Sequence, residues 1–351
     1  MRVLLLARYG RLGSTSRVRF YQYLPYLQAH GIEITVCPLL ADEYVQKLYS
    51  GKPQNLTFLL RAYVDRVSIL LRSHTFDLIW LEKEALPWLP AWFENILTRA
   101  PVVVDYDDAV FHRYDRHANP LIRVFLGKKI DAVMRHAALV ITGNDYLAAR
   151  AEKAGAKCIE IIPSVVDTTR YQPTNKLSFP PFTIGWIGAP VTAPYLQQIQ
   201  PALAEICAES NTRVILVGAG NISLPGVPLE IRPWTEATEV AALQQFDVGI
   251  MPLPDEPFER GKCGYKLIQY MACALPIIAS PIGVNQTIVE PGTNGYLATS
   301  LDEWLQALRA LRDSPAHRLE LGRAGRQKVE QAYSLQATAP KLSTILQNIK
   351  R

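Results

Sequence analysis

Cysteine is scarce in this chain and is not arranged in pairs. The 351 residues contain five cysteines, an odd number, and no two of them have CxxC spacing. We therefore expect neither a disulfide framework nor a structural zinc site, and we expect a reducing compartment.

Long apolar runs are also missing. No stretch reaches 18 consecutive apolar residues, so a transmembrane helix is not expected. The first apolar window covers five residues, 3–7, and stops at Arg8, which is too short for a signal peptide. These features predict a cytoplasmic location.

Charge of either sign is never concentrated. The net charge is +5 and the pI is about 8.9, but there is no compact Lys/Arg block and no zinc-finger or aromatic RNA-binding signature. Nucleic acid is therefore not an expected partner. A mildly basic chain suits an anionic small ligand or an anionic membrane surface.

What the chain does contain is a regular alternation of short Val/Ile/Leu-rich runs with amphipathic segments. Near-continuous apolar runs of this length are typical of strands buried on both faces. The predicted strands are 2–7, 32–38, 76–82, 101–106, 138–143 and 158–163, and then 182–189, 213–220, 228–234, 247–254 and 275–281.

The alternation predicts an α/β fold with two Rossmann-like, doubly wound parallel-sheet domains. Residues 165–182 contain three prolines and interrupt the pattern, as an inter-domain linker would. We place the domains at 1–172 and 173–334, with a helix of about 335–351 packing back on the first. Ligands of such sheets bind outside the carboxyl ends of the strands.

Loops after the strands of the first half hold several candidate residues. Gly13 permits a tight turn and a close backbone approach to a ligand, but the loop lacks the GxGxxG pattern of dinucleotide sites. Arg17 either contacts an anionic acceptor or is solvated.

Three aspartates, Asp105, Asp107 and Asp108, crowd the end of the fourth strand, and His112 follows them. Carboxylates this close repel one another and need a partner. The open explanations are a metal ion, a cation or sugar hydroxyls as that partner, or a helix cap built on Asp107 or Asp108.

Two segments, 56–73 and 119–137, have apolar residues at helical spacing flanked by Lys and Arg. Each is consistent with a basic amphipathic helix on anionic lipid or with an ordinary surface helix. In the second half, Gly218 ends a strand in a flexible turn. Trp234 either stacks on an aromatic base or belongs to the core.

The stretch 258–276, "FERGKCGYKLIQYMACALP", poses an electrostatic question. Lys262 and Lys266 are four residues apart at what looks like a helix start, where cations are unfavourable unless an anion is bound. On one helical face they would form a diphosphate site. Surface pairing with Glu256 or Glu259 is the alternative.

This stretch, extended over 247–298, resembles the carboxyl-terminal signature of the retaining glycosyltransferases of family 4. "FTIGWIGAP" (182–190) and "VVVDYDDAVF" (102–111) are similar to the same family. The resemblance implies the B-type fold, in which two Rossmann-like domains face each other across a cleft. It also implies that the first domain serves the acceptor and the second binds the donor.

The resemblance further implies transfer of a sugar from a nucleotide-sugar to an acceptor hydroxyl with retention at the anomeric carbon. No metal or other cofactor is expected, because protein cations neutralise the leaving diphosphate. The expected acceptor is a glycan or a lipid-linked glycan of surface polysaccharide or glycolipid assembly. Peripheral contact with the inner face of the cytoplasmic membrane fits that setting.

The residues singled out above, together with those that the resemblance carries over, give the following site residues. The catalytic candidates are Asp107, Lys262, Lys266 and Glu259; the donor-binding candidates are Gly13, Gly188, Gly218, Trp234, Arg260, Gln269, Gly283, Val284 and Asn285; the acceptor-binding candidates are Arg17, Asp108 and His112.

The chain departs from the family pattern at two places. Gln269 stands where the family commonly has the second of two glutamates, and 187–196 lacks the usual Arg and Lys of the diphosphate site. A neutral Gln269 could still hydrogen-bond a ribose hydroxyl. These departures leave two alternatives open: a catalytically silent nucleotide-sugar-binding partner subunit, and a nucleotide-sugar epimerase on the same fold.

Overall fold

A computed structural model describes residues 1–49, 51, 53, 55–174 and 181–349. Part of the predicted linker, 175–180, and the last two residues of the predicted terminal helix lie outside the described residues. The chain forms two compact units. Unit 1 comprises Met1–Ser164, Arg260–Cys263 and Thr338–Arg351, and unit 2 comprises Val165–Glu259 and Gly264–Ala337.

Unit 1 is built on a six-stranded sheet whose described pairings are all parallel, in the order β2-β1-β3-β4-β5-β6. Its strands are β1 (Arg2–Leu6), β2 (Glu33–Val36), β3 (Leu78–Glu82), β4 (Val102–Tyr106), β5 (Leu139–Thr142) and β6 (Ile159–Ile161). The central strands β3, β4 and β5 are buried throughout, whereas the edge strands β2 and β6 are partly exposed.

Helices connect these strands as parallel pairing requires. They are α1 (Ser14–Arg19), α2 (Leu24–Ala29), α3 (Asp42–Tyr49), α4 (Leu56–Leu71), α5 (Ala91–Leu97), α6 (His112–Asp115), α7 (Pro120–Leu126), α8 (Lys129–His136) and α9 (Asp145–Ala154). Short 3-10 turns at Tyr21–Tyr23 and Ser73–Thr75 complete the connections.

Unit 2 repeats the plan with a second six-stranded sheet, in the order β12-β11-β10-β7-β8-β9. Its strands are β7 (Phe182–Ile187), β8 (Thr212–Val217), β9 (Leu229–Arg232), β10 (Val248–Met251), β11 (Ile277–Ala279) and β12 (Gly295–Leu297). The described pairings are again all parallel.

The remaining helices complete the chain after a 3-10 segment at Pro190–Ile199. They are α10 (Gln200–Glu209), α11 (Glu239–Leu243), α12 (Pro257–Arg260), α13 (Tyr265–Ala272), α14 (Asn285–Ile288), α15 (Leu301–Asp313), α16 (Pro315–Ala332) and α17 (Leu335–Asn348). Most of α17 clusters with unit 1, where Lys341 pairs with Glu160 at 3.3 Å.

The predicted fold class is therefore confirmed, since both halves are parallel α/β sheets. The eleven predicted strands coincide with β1 to β11. The sequence did not predict β12, which has three residues and begins with glycine. No helix within the described ranges is both long enough and apolar enough to cross a membrane.

The sequence-based interpretation of 119–137 as one basic amphipathic helix is wrong. The segment forms two helices, α7 and α8. The apolar face of α8 is core, and Lys129 is buried with its Nζ 2.7 Å from Glu84. Of these two helices, α7 is the one whose apolar residues face solvent.

The sheet of unit 2 depends on a cross-strand pair of glycines. Gly185 of β7 lies opposite Gly249 of β10. A Cβ at Gly185 would overlap the ring of Phe246, and a Cβ at Gly249 would overlap the ring of Tyr270. Tyr270 in turn accepts a hydrogen bond from the Ile187 amide at 3.0 Å. The missing side chains therefore make room for two aromatic rings on the sheet.

Replacing Gly249 with alanine should lower the free energy of unfolding by about 1–3 kcal/mol, because the added methyl overpacks Tyr270 in a closed core. Urea denaturation measures this change. Val191→Ala, at an exposed site of the same unit, is the control and should stay within about 0.5 kcal/mol of the parent. Equal midpoints for Gly249→Ala and the parent would show that this packing is loose.

Candidate functional site

The strands of unit 1 bring polar residues together at one edge of the sheet. The strands β1, β3, β4 and β5 are neighbours and run parallel, so their carboxyl ends meet. Lys83 follows β3, Asp107 and Asp108 follow β4, and Asn144 follows β5. The loop after β1 adds Thr15 at the start of α1.

Lys83 is the partner that the crowded aspartates require. Its Nζ lies 2.9 Å from Oδ1 of Asp107 and 2.7 Å from Oδ2 of Asp108. Thr15 Oγ1 donates to Oδ2 of Asp107 at 2.8 Å. Of the partners left open by the sequence, the structure therefore supplies a cation, the buried amine of Lys83.

The backbone of Lys83 is held in an uncommon conformation. Its φ is 62°, in the left-handed region that non-glycine residues rarely adopt, and its carbonyl accepts a hydrogen bond from Tyr106 Oη at 2.8 Å. Strain of this kind persists only where the surroundings impose it. The backbone turn is what aims the amine at the two carboxylates.

The charges of this cluster support one another. Burial disfavours the charged amine, yet Asp107 and Asp108 raise the pKa of Lys83 above its ordinary value. Burial likewise opposes the charge of Asp108, but Lys83, together with Arg113 and Lys262, lowers the pKa of its carboxyl. The amine of Lys83 and the carboxylate of Asp108 are therefore both charged at neutral pH.

Asp105 lies deeper and has a different role. Its carboxylate accepts two hydrogen bonds from Arg19, at 2.8 and 3.2 Å, and Arg19 also donates to the Ile162 carbonyl at 2.8 Å. Burial raises the pKa of Asp105 to about 6 although Arg19 opposes this. We interpret this fully buried pair as structural support beneath the aspartates.

The side-chain amide of Asn144 binds the segment Arg260–Cys263 within unit 1. Nδ2 of Asn144 donates to the carbonyls of Gly261 and Lys262 at 3.1 and 3.0 Å and lies 3.4 Å from Cys263 Sγ. A Cβ at Gly261 would overlap Ala109, the residue after Asp108. This close approach places Lys262 among the cations that act on Asp108.

The prediction that Lys262 and Lys266 share one helical face is wrong. Helix α13 begins at Tyr265, after Gly264 with φ 63°, so Lys262 precedes the helix and Lys266 lies in its first turn. Lys262 belongs to unit 1, whereas Lys266 belongs to unit 2.

In unit 2, four predicted residues converge at the carboxyl ends of β7, β8 and β9. A Cβ at Gly188 would come within 2.7 Å of Cε of Lys266, and one at Gly218 would overlap the Gly188 carbonyl and lie 3.0 Å from Cβ of Trp234. Nζ of Lys266 lies 4.9 Å from the ring centroid of Trp186, a cation–π distance. It also lies 3.4 Å from Thr192 Oγ1.

Glu239 connects two further predicted residues. Its buried carboxylate accepts hydrogen bonds from Trp234 Nε1 at 2.9 Å, Tyr171 Oη at 2.7 Å and Arg170 at 2.7 Å. Nε2 of Gln269 lies 3.5 Å from the same carboxylate and donates to Tyr171 at 3.0 Å. A glutamate at 269 would place two carboxylates side by side, so the amide is the compatible choice here.

Glu259 is buried in α12. Its Oε1 accepts a hydrogen bond from Tyr195 Oη at 2.6 Å. Arg260, the next residue, is exposed and clusters with unit 1.

The remaining predicted residues lie in well-defined places. Gly13 is buried against Tyr9 at the N-cap of α1, and Arg17 is buried and donates to the Arg11 carbonyl at 3.3 Å. His112 bonds both ring nitrogens to protein groups, Asp115 at 2.8 Å and Tyr146 at 2.9 Å.

The loop before α14 holds three donor-binding candidates. Gly283 has φ 54°, and Gly283 and Val284 are partly exposed. Asn285 is buried and donates to the Ser280 carbonyl at 3.0 Å. The binding roles predicted for these residues stay predictions.

Within the part of the chain that the structure describes, no group of three His, Cys, Asp or Glu side chains is arranged to hold a metal ion. Oδ1 of Asp108 and Oε1 of Glu82 are buried without a hydrogen-bond partner among the described residues. Such orphan acceptors suit hydroxyl donors of a ligand.

Sequence reasoning missed Lys83 and Glu239. The signal for Lys83 was a lysine directly after the apolar run 76–82, beside the strand that carries the aspartates. Glu239 had no comparable signal, because its partners are scattered between Arg170 and Gln269 and meet only in the folded unit.

Residues 181–314, most of unit 2, match the family described as "Glycosyl transferases group 1". D-inositol 3-phosphate glycosyltransferase of Pseudarthrobacter chlorophenolicus is 29% identical over 118 residues, 33% of this chain and 26% of that protein. N-acetyl-alpha-D-glucosaminyl L-malate synthase of Bacillus anthracis is 24% identical over 170 residues, 44% and 42% of the two chains. The chain matches less than half the length of either relative.

A solved structure, Anabaena Alr3699/HepE in complex with UDP-glucose, superposes on 99% of this chain and 100% of its own, with a TM-score of 0.72 and 17% identity. At that identity the likeness shows the fold alone. The fold is that of the B-type glycosyltransferases, and the resemblance to them is confirmed. Membership of family 4 and retention stay predictions.

Replacing Lys83 with methionine should destabilise the protein by roughly 2–4 kcal/mol at pH 7, because two largely buried carboxylates lose their cation. The folded pKa of Asp108 is depressed, so its stabilisation is fully present above the unfolded pKa of 3.8 and is lost as pH falls from there through the lower folded pKa. The difference between variant and parent should therefore shrink in acid. Urea denaturation at pH 7 and at about pH 2.5 measures both values.

The double variant Lys83→Met/Asp108→Asn is the matched control and should recover part of the loss, since one of the two unpaired charges is gone. A single variant as stable as the parent at pH 7 would contradict the assigned ion pairs.

Proposed function

We propose that this chain is a retaining glycosyltransferase that moves a sugar from a nucleotide-sugar to an acceptor hydroxyl. The observation that carries the proposal is the convergence of Gly188, Gly218, Trp234 and Lys266 at the strand ends of unit 2. Glycines there allow a close backbone approach, and Lys266 supplies a cation. The match of 181–314 to a glycosyltransferase family supports the same reaction.

The donor is proposed to be a nucleoside diphosphate sugar. Within unit 2, Lys266 contacts its diphosphate and the ring of Trp234 lies against the base. Lys262 of unit 1 is proposed as a further cation that the reaction needs. A UDP-sugar is the first candidate, because Alr3699/HepE, which shares the fold, is complexed with UDP-glucose.

Asp107 is proposed to act on the transferred sugar and Asp108 on the acceptor. The carboxylate of Asp107 would stabilise the positive charge that develops on the sugar ring as the bond to the diphosphate breaks. Lys83 holds both carboxylates in place through its ion pairs with them. Glu259, the other proposed catalytic residue, is oriented by Tyr195.

We further propose an acceptor that is a glycan or a lipid-linked glycan, assembled at the inner face of the cytoplasmic membrane. Unit 1 supports this with exposed apolar residues on packed neighbouring helices. They are Leu56, Leu60 and Val64 on α4, and Trp92 and Ile96 on α5. Exposed patches of this kind mark membrane or protein contacts.

Alanine at Lys266 or Lys262 should reduce turnover by about 100- to 1,000-fold, because removing one stabiliser of transition-state charge costs roughly 3–4 kcal/mol. A thermal-shift screen with nucleotides and nucleotide-sugars first identifies the donor, since a ligand of the folded state raises the melting temperature. Product analysis then measures transfer.

Lys328→Ala is the matched control, since it removes a surface cation of unit 2 that pairs with Glu290 at 2.5 Å. It should leave turnover unchanged. Near-normal turnover in both Lys266→Ala and Lys262→Ala would refute the diphosphate assignment. Conversion of the donor without an acceptor would identify an epimerase, and donor binding without any turnover would identify a silent partner subunit.

We propose that the reaction needs no metal ion. The carboxylates of Asp107 and Asp108 already share the amine of Lys83, and a lysine is available to the leaving diphosphate. Turnover should therefore be the same with and without about 5 mM EDTA, a chelator that removes bound metal. Loss of activity in EDTA that added Mg²⁺ restores would refute this.

A further inference from the structure

Helix α7 of unit 1 presents its apolar residues to solvent. Leu121, Val124 and Phe125 are 62%, 77% and 75% exposed. The helix is nevertheless well anchored, because Leu126 is buried and Asn119 caps its start by accepting a hydrogen bond from the Leu121 amide at 2.9 Å. A fixed helix with three large apolar residues facing outward is a contact surface.

A cavity of about 330 Å³ opens beside the end of α7. The charged residues that line it are Asp115, Arg123, Lys128, Asp131, Arg150 and Lys153. Both carboxylates are already engaged: Arg150 donates to Asp131 at 2.6 and 3.1 Å and to Asp115 at 3.0 Å. The acids therefore serve to hold Arg150 in the wall.

The cavity has a positive excess. Four cations and two carboxylates leave two positive charges, and Arg123, Lys128 and Lys153 are all exposed. Arg123 is oriented by its hydrogen bonds to the carbonyls of His117 and Ala118, at 2.6 and 3.0 Å. Clustered, partly oriented cations of this kind suit a phosphate group.

We propose that this cavity binds the phosphate of an anionic phospholipid headgroup while Leu121, Val124 and Phe125 enter the boundary of the acyl chains. The inference deepens the membrane contact proposed above and rests on it. A basic cavity alone would serve free phosphate equally well. The exposed apolar residues next to it favour a lipid, because they gain free energy only from an apolar phase.

Vesicle flotation with the full chain, without donor or acceptor, tests the proposal. The parent should bind vesicles of phosphatidylcholine with 30% phosphatidylglycerol, a content of about that of anionic bacterial-type membranes, and should not bind pure phosphatidylcholine. Lys128→Glu/Lys153→Glu should weaken binding at least about tenfold, since each basic residue near an anionic surface contributes about one kcal/mol. Val124→Ser/Phe125→Ser should weaken it as well.

The matched control is Lys157→Glu/Arg323→Glu, which changes the same number of exposed charges outside the cavity and should retain binding. Melting temperatures confirm that each variant folds. Should the reversed charges prevent folding, Lys128→Gln/Lys153→Gln makes the same test.

Three results would overturn the proposal. The first is a parent chain that does not bind the anionic vesicles. The second is loss of vesicle binding with Val124→Ser/Phe125→Ser but not with Lys128→Glu/Lys153→Glu, which we call the cavity variant. The third is a melting temperature that inorganic phosphate raises for the parent and not for the cavity variant, while both bind vesicles equally. None of these results bears on sugar transfer, which the Lys266 variant tests separately.

Discussion

The carboxyl edge of unit 1 depends on the pairing of buried carboxylates with buried cations. Glu84 is neutralised by Lys129 and Asp105 by Arg19, and Lys83 serves the two aspartates after β4. A charge left alone at such depth would cost several kcal/mol, so each acid fixes the position of a particular base. Those bases come from different elements, α8, α1 and the end of β3, and their pairing sets how these elements meet around the edge.

The strands were predictable because apolar runs bounded by turns leave few alternatives. The pairing of charges was not, since it depends on side-chain direction. Lys83 reaches Asp108, 25 residues later, only because its backbone turns to a positive φ. The same limit explains the error at Lys262 and Lys266. Their spacing fits a helix, but Gly264 is the N-cap of α13. The helix therefore begins at Tyr265, and Lys262 lies before it.

Unit 2 shows how a departure from a family pattern can be accommodated. The resemblance raised Gln269 as a missing carboxylate. In the folded unit the carboxylate next to it is supplied by Glu239, which collects donors from Trp234, Tyr171 and Arg170. An amide at 269 adds to those donors, whereas an acid would repel Glu239. The substitution is thus consistent with its surroundings, and Glu239 holds the indole of Trp234 that we propose lies against the base.

The chain passes between the two units four times, after Ser164, Glu259, Cys263 and Ala337. The four residues 260–263 belong by contact to unit 1, although unit 2 precedes and follows them. Neither unit is therefore formed by one continuous segment of the chain. A recombination event that exchanged the second half with that of a relative would import a foreign tetrapeptide into the first, where Asn144 and Ala109 must accept it. Exchange of unit 2 between proteins of this fold is therefore constrained by contacts that are made within unit 1.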